Sequence, residues 1–455
     1  MTSTLRRAGG FAAVGTLSLA APALGMAAAA PFAAVAVLAA FVITDGPVFE
    51  LFARPGDHED GRLNGLASFS LAATGLALLA TVPREPMPVG VFVATVLAVA
   101  YGNLGSQLAA ARVDGDGPFA AVAGFVALGF VAGFAGQVVV ALAADATGTV
   151  TIAAATATVA ADIAFVAACT TLVAALVRSA LHERDDPVVL LSAGIVAWVL
   201  GTLVVSVGTV EIAAALVVTA ALGVVSYALG TASITGMLTG VLLGLLTIVL
   251  GGFGWFAVLI SFFAIGGLST KFRYDEKRAR GVAEDNDGAR GSSNVLGNAA
   301  VAVAAVVGFA ATAHVSVGPV VGTAFGFAFA GSLAAAMSDT LSSEIGGLYD
   351  SPRLITTLRP VPPGTDGGVT WQGEVAGVVG AAVVAGFALV LMPLAGSDAF
   401  VVGTVVVGGI AGMTVDSLLG ATLEGDRLGN EAVNLLATFT GAAVSGGVAL
   451  AFLPG

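Results

Sequence analysis

The sequence predicts an all-α fold: a polytopic transmembrane bundle of about 15 helices, within a range of roughly 13 to 15. Three observations predict it. The 455-residue chain is 57% hydrophobic and only 10% charged, with a mean hydropathy of +1.00. Apolar runs of roughly 18 to 25 residues recur from end to end, the length a helix needs to cross a bilayer. Ala, Val, Leu and many of the 62 glycines fill those runs, and such small residues let helix backbones approach closely in lipid.

The elements follow in order from the basic residues. Arg6 and Arg7 precede the first apolar stretch and place the N-terminus inside by the positive-inside rule. This start resembles a signal peptide, but apolar segments continue at once, so a retained first helix is expected. Residues 9–44 have room for two helices, punctuated by Pro22 and Pro31, after which Arg54 and Arg62 fall inside. Helices near 64–82, 88–110, 118–143 and 149–177 bring Arg112, Arg178 and Arg184 inside. Further helices near 187–207, 211–230, 233–250 and 254–268 return the chain to the cytoplasm at 269–293. Segments near 295–313, 318–338, 373–394, 399–418 and 432–453 complete it, with Arg353, Arg359 and Arg427 inside. Arg84 is the exception. Two domains are expected, 1–186 and 187–455, and the polar motifs belong to the second.

Charge narrows the function classes. The net charge is −12, carried in loops such as G-D-H-E-D-G (56–61), V-D-G-D-G (113–117) and E-D-N-D-G (284–288). Acidic loops and a large excess of arginine over lysine fit a halophilic archaeon, and nucleic acid is not the expected partner of such a surface. The single cysteine, Cys169, lies in an apolar run and reads as packing. The three histidines are scattered, and no Walker A, H-E-x-x-H or G-x-S-x-G pattern occurs. Asp, Glu, Asn, Lys and Arg are therefore the available chemistry, and hard carboxylate oxygens suit Mg²⁺.

Three polar clusters interrupt the second domain. Six of the 17 basic residues sit within 20 positions, starting with both lysines of the chain, Lys271 and Lys277, and ending at Arg290. One or two charges suffice to orient a helix, so this group, with Arg273 in it, is also expected to hold a phosphate. Asn294 and Asn298 follow, four apart and so on one helix face. The second cluster, M-S-D-T-L-S-S-E-I-G, puts Asp339 and Glu344 at the end of an apolar segment, where carboxylates need a polar cavity or a cation. The loop R-P-V-P-P-G-T-D-G-G-V then offers Arg359, Gly364, Thr365, Asp366 and Gly367, a pattern suited to an anion-binding nest or to a plain turn. In the third cluster, Asp416 lies inside an otherwise spanning stretch. Asn430 and Asn434 repeat the four-residue spacing; these asparagines can read a sugar, a base or a phosphate, or bond helix to helix.

Residues 230–450 resemble the integral membrane domain-of-unknown-function family ninety-two, which includes a plant chloroplast phytyl-phosphate kinase. The resemblance rests on five ordered blocks: G-L-S-T-K-F-R-Y-D-E-K, A-R-G-S-S-N-V-L-G-N, S-D-T-L-S-S-E-I-G, R-P-V-P-P-G-T-D-G-G-V and V-D-S-L-L-G-A-T. It implies phosphorylation of an isoprenoid monophosphate to the diphosphate, with CTP or another nucleoside triphosphate as donor. The S-D-T-L-S-S-E-I-G block is also distantly similar to a helix of CTP-dependent lipid kinases and cytidylyltransferases. In the first domain Y-G-N-L-G-S-Q resembles the same pattern, with Asn103 where it would want Asp, so a degenerate half is expected there.

The reading that results is a multi-pass cell-membrane protein with its motif loops in the cytoplasm. Asp339, Glu344, Asp366 and Asp416 are the expected catalytic carboxylates, with Asp339, Asp366 and Asp416 as Mg²⁺ ligands. Lys271, Arg273, Arg290 and Arg359, with Gly364, Thr365 and Gly367, are expected to bind phosphate. Asn294, Asn298, Asn430 and Asn434 would orient the nucleotide or the lipid phosphate. Lys271, Asp339, Asp366 and Asp416 are expected to line one cavity. The alternatives are a CTP-dependent cytidylyltransferase acting on a lipid phosphate, and a transporter or scramblase.

Overall fold

The computed structural model describes residues 3–112, 117–146, 156–181, 186–203, 208–283, 291–425 and 427–454. Among these, 13 helices are long and apolar enough to cross a membrane, and 14 if one bent pair is counted as a span. The protein is a polytopic all-α membrane protein. The expected second helix of 9–44 is a bent pair, Ala30–Phe41 and Gly46–Phe52, broken by 103°. The segment expected at 64–82 is a shorter apolar helix, Asn64–Leu79. Gly46 and Pro47 explain the first departure: Asp45 is extended, Gly46 takes a positive φ of +84°, and Pro47 stands in the first turn of the second member, where its absent amide is harmless.

The chain divides into two compact units, Met1–Ala213 and Ala214–Gly455, a division later than the 186/187 boundary expected from sequence. In the first unit the helices are α1 (Ser3–Gly15), α2 (Ala21–Leu24), α3 (Ala30–Phe41), α4 (Gly46–Phe52), α5 (Pro55–Asp60) and α6 (Asn64–Leu79). They continue with α7 (Val89–Ala110), α8 (Gly117–Ala146), α9 (Thr156–Ala180) and α10 (Asp186–Leu203). Helix α7 is the core, packed by α1, α8, α9 and α10. Helix α10 packs on α6, α7 and α9, which is why the unit extends past residue 186.

Helix α11 (Thr209–Ala228) precedes α12 (Ile234–Gly251), α13 (Phe253–Lys271), the short α14 (Tyr274–Ala279) and α15 (Ser292–Ala311). The second unit ends with α16 (Pro319–Gly346), α17 (Trp371–Leu391), α18 (Asp398–Gly420) and α19 (Asn430–Phe452). Helix α16 is its axis, with α13, α15, α17, α18 and α19 around it. Lipid gives helices no hydrophobic reason to associate, so close backbone packing has to do it. A methyl group at Gly331 would stand 2.5 Å from the Gly441 carbonyl, and one at Gly412 would stand 2.7 Å from that of Ala437. Glycine there brings α19 against α16 and α18. Trp255 is buried between Phe309 and Phe329, each ring centroid 4.8 Å away.

These five last helices alternate in direction. Helices α15, α17 and α19 begin, and α16 and α18 end, at the same end of the unit. All three polar clusters of the sequence therefore meet there.

A carboxylate-lined candidate site

The loop between α16 and α17 crosses this end. Strands β1 (Arg353–Leu354) and β2 (Gly368–Val369) pair antiparallel within it, Arg353 opposite Val369. Gly364 and Gly367 take positive φ, +80° and +71°. A Cβ at Gly367 would stand 2.6 Å from both the Ala421 amide nitrogen and the Ser417 carbonyl oxygen. Only glycine allows this docking, and the docking brings Asp366 beside the end of α18. At the α16–α17 junction, a Cβ on Gly346 would stand 2.8 Å from Thr370 Oγ1. The Thr370 hydroxyl caps α17, accepting from the Gly373 amide at 3.2 Å.

The result is one cavity of about 410 Å³. Its acidic wall is Asp339, Asp366, Asp416 and Glu424. Asn294, Asn298, Asn430 and Asn434 form another wall, where α15 and α19 begin. Gly364, Thr365 and Gly367 close the loop side. Three helix N-termini thus open on the cavity, each the positive end of its helix dipole. Asn298 Nδ2 donates to the Asn294 carbonyl at 2.9 Å, leaving Asn294 Oδ1 buried without a hydrogen-bond partner.

Asp339 and Asp416, from α16 and α18, are in side-chain hydrogen-bonding contact. Asp416 Oδ2 is buried and has no hydrogen-bond partner. At the cavity's mouth Glu424 has its carboxyl pushed above the usual range, first by burial and then by the charges of Asp366, Asp416 and Glu431. Two carboxylates in contact would repel in such a site unless a proton or a cation lies between them.

The expected cations are elsewhere. Among the described residues lining the cavity there is no lysine or arginine. Lys271 lines a separate apolar cavity of about 160 Å³ with Leu222, Met237, Phe256 and Phe263, so the expected convergence of four residues holds for the three aspartates and not for Lys271. It ends α13 beside α11 and α12, whose Leu222 and Met237 line the same cavity, and not beside α18. Arg273 is exposed and bonded to Glu276, and Arg359 is exposed on the loop. Arg290 lies outside the described residues.

Glu344 is also outside the cavity. It is buried and paired with the Lys277 ammonium, itself only 1% exposed. Lys277 also donates to the carbonyls of Ser269 and Thr270, at 2.9 and 2.7 Å, in the last turn of α13. The pair ties α13 and α14 to α16 on the side of α16 away from the cavity, so Glu344 does not join the three aspartates. Two residues escaped the sequence reading. Glu424 lines the cavity, and Arg427 lines an adjoining depression with Asp366, Glu424 and Asn430. The only signal was their place in the short polar link between α18 and α19.

Mg²⁺ typically takes one or two protein carboxylates and completes its shell with water and substrate phosphate. The Asp339–Asp416 pair with its unpartnered oxygen fits that requirement. A third ligand does not assemble: among the described residues no group of three or more Asp, Glu, His or Cys is arranged to hold a metal ion. Asp366 is exposed at the rim.

Fold and site define an integral membrane protein with a polar, carboxylate-lined cavity at one end of a glycine-packed helical bundle. The family described as integral membrane protein DUF92 matches residues 217–442, and the chain belongs to that family. It is 36% identical over 214 residues to an uncharacterized membrane protein of Methanocaldococcus jannaschii, covering 45% of this chain and 81% of the relative. An uncharacterized membrane protein of Synechocystis is 34% identical over 215 residues, 44% of this chain and 77% of that one. Protein VTE6, chloroplastic, of Arabidopsis thaliana is 32% identical over 222 residues, 47% of this chain and 64% of that protein. No solved structure matches the chain. The family match lies within the second unit and contains every cavity residue named above.

Proposed function

We propose that the protein is a Mg²⁺-dependent phosphotransferase of the cell membrane. It converts an isoprenoid monophosphate to the diphosphate at the cytoplasmic face, with CTP or another nucleoside triphosphate as donor. The observation that carries this reading is the cavity's composition: four carboxylates, four asparagines and three helix N-termini, with no basic residue among the described lining. An anionic substrate enters such a site only with a cation, which is how phosphoryl transfer sites neutralise their charge. Asp339 and Asp416 would hold Mg²⁺, and the metal would neutralise the charge of the phosphates. Asp366 and Glu424 set the negative field at the rim.

The chain's own groups do the rest. The asparagine amides, Thr365 and the first-turn amides of α15 and α19 donate to phosphate or nucleotide oxygens. An oxygen of the monophosphate forms the new bond to the terminal phosphorus of the donor, whose bond to the leaving nucleoside diphosphate breaks. The nucleophile is already ionised, so no strong base is needed. The isoprenoid part is supported by the apolar cavity beside Lys271, which reaches Val295, the neighbour of Asn294. Polar groups gathered at helix ends, not at mid-span, argue against a transporter.

The test is purified protein with Mg²⁺, labelled CTP or ATP, and geranylgeranyl or phytyl phosphate. Diphosphate carrying the γ label is expected, and none when the metal is chelated. Retention of the α label in the lipid would assign a cytidylyltransferase instead. Transfer of neither label with any donor would overturn the reading.

A further inference from the structure

The carboxylate-lined cavity is chemically divided. Its aspartate pair and its asparagines stand on α15, α16, α18 and α19. A second group of lining residues is apolar: Tyr349, Pro352 and Pro363 from the α16–α17 loop, and Val282 from the link after α14. Metal and phosphate need only the first group. Tyr349 is the one aromatic residue among the described lining. It is 41% exposed, and its ring meets no other aromatic ring and no cation among the described residues.

Local structure puts that ring on the wall. Helix α16 ends at Gly346, and the Leu348 and Tyr349 amides donate to the Ile345 and Gly346 carbonyls at 3.2 and 3.0 Å. This tight turn buries Leu348 and leaves Tyr349 facing the cavity. Val282 is wedged against the same turn: a Cβ at Gly347 or at Gly364 would stand 3.3 Å from one of its methyl groups. Pro352 and Pro363 have fixed φ, which stiffens the loop that carries them.

Helix α16 has 28 residues, about 42 Å of rise, against a hydrocarbon core of about 30 Å. Its polar last turns, S-D-T-L-S-S-E-I-G, carry the excess, so Tyr349 stands beyond the apolar span, where an isoprenoid tail has no reason to lie. Asp339 precedes Gly346 by seven residues, about 10 Å along the helix. That is comparable with the reach of a nucleoside triphosphate from its terminal phosphate to its base. We propose, resting on the phosphotransferase reading, that Tyr349 is the platform on which the base of the donor nucleotide stacks. Val282 and the two prolines form the apolar edge of this subsite. Every base has a π face, so the platform adds affinity for CTP and ATP alike.

The test separates base from phosphate. Full-length protein in detergent with Mg²⁺ is titrated by calorimetry with non-hydrolysable CTP and ATP analogues. Inorganic tripolyphosphate, which has the phosphates and no base, is titrated in parallel. Wild type should bind the better nucleotide about tenfold or more tighter than tripolyphosphate, the scale of one base–aromatic stack. Tyr349→Ala should lose that advantage and leave tripolyphosphate binding unchanged, while Tyr349→Phe should keep it. In turnover Tyr349→Ala should raise the nucleotide KM and not the lipid KM. If Tyr349→Ala fails to fold, Tyr349→Leu, which keeps bulk without a π face, should show the same loss. Failure of wild type to bind nucleotide better than tripolyphosphate, unchanged nucleotide affinity in the folded variant, or a raised lipid KM in its place overturns the proposal. Nucleotide binding that depends on Tyr349, with no γ label passed to any lipid phosphate, supports the base platform and overturns the phosphotransferase reading alone.

Discussion

Lys277 and Glu344 form a buried ion pair that joins α14 to the end of α16, and the same ammonium holds the last carbonyls of α13. Removing one partner of a buried pair leaves the other charged and desolvated, at about 3–5 kcal/mol. Lys277→Met and Glu344→Gln should therefore lower the thermal midpoint in detergent sharply. The Lys277→Met/Glu344→Gln double variant should lose less than the two single losses combined. Strict additivity would mean that the two charges do not stabilise each other.

The Asp339–Asp416 contact makes a different prediction. Replacing either aspartate with asparagine removes a charge from the cavity without removing a staple, so the fold should survive. Diphosphate formation should drop by about 10² or more, the scale of losing one preorganised transition-state group. The stabilisation of wild type by added Mg²⁺, read as a shift in thermal midpoint, should disappear in Asp416→Asn.

Gly367 is a steric prediction. Its φ of +71° and the backbone of α18 both exclude a side chain. Gly367→Ala should strain the loop by about 1–3 kcal/mol and move Asp366 from the rim. Helical circular dichroism should stay unchanged while turnover falls. Unchanged turnover would mean that the loop position is irrelevant to the chemistry.

Glu424 gives a pH dependence whose sign can be worked out. Its folded-state affinity for a proton is raised above the usual 4.5 by burial and by neighbouring acids. Folded protein then binds more proton than unfolded protein just above that value, so this group withdraws stability as pH rises through the window. Glu424→Gln should flatten the fall in thermal midpoint between about pH 4.5 and neutrality, compared with wild type. Saturating Mg²⁺ should reduce the difference between the two proteins.

The cation assignments can be separated by kinetics. Lys271→Gln should raise KM for the lipid substrate and leave nucleotide KM alone, because Lys271 stands at the apolar cavity. Arg427→Gln should do the reverse through the depression it shares with Asp366 and Glu424. Arg273→Gln and Arg359→Gln should change neither.

Some of this was legible in the chain and some was not. Hydropathy periods made the helices plain, because each bilayer crossing must satisfy its own backbone. The two asparagine pairs and Asp339, Asp366 and Asp416 were visible as polar residues at the ends of apolar runs, where their desolvation demands a reason. Helix parity was enough to put them at one end. The same evidence could not distinguish Lys271 from Lys277, six residues apart in one polar stretch, nor separate Glu344 from Asp339, five residues apart on one helix.

What the sequence determined by itself was the membrane-spanning all-α class, the family, and the gathering of three polar clusters on one side, since hydropathy and spacing are properties of local runs. Only the tertiary structure decided which charges face each other. Helix rotation turned Glu344 toward Lys277 and Asp339 toward Asp416, and the positive φ of Gly367 docked Asp366 onto α18. Such choices depend on close contacts between distant backbones, and no local run of residues encodes the direction a side chain takes once its helix is packed.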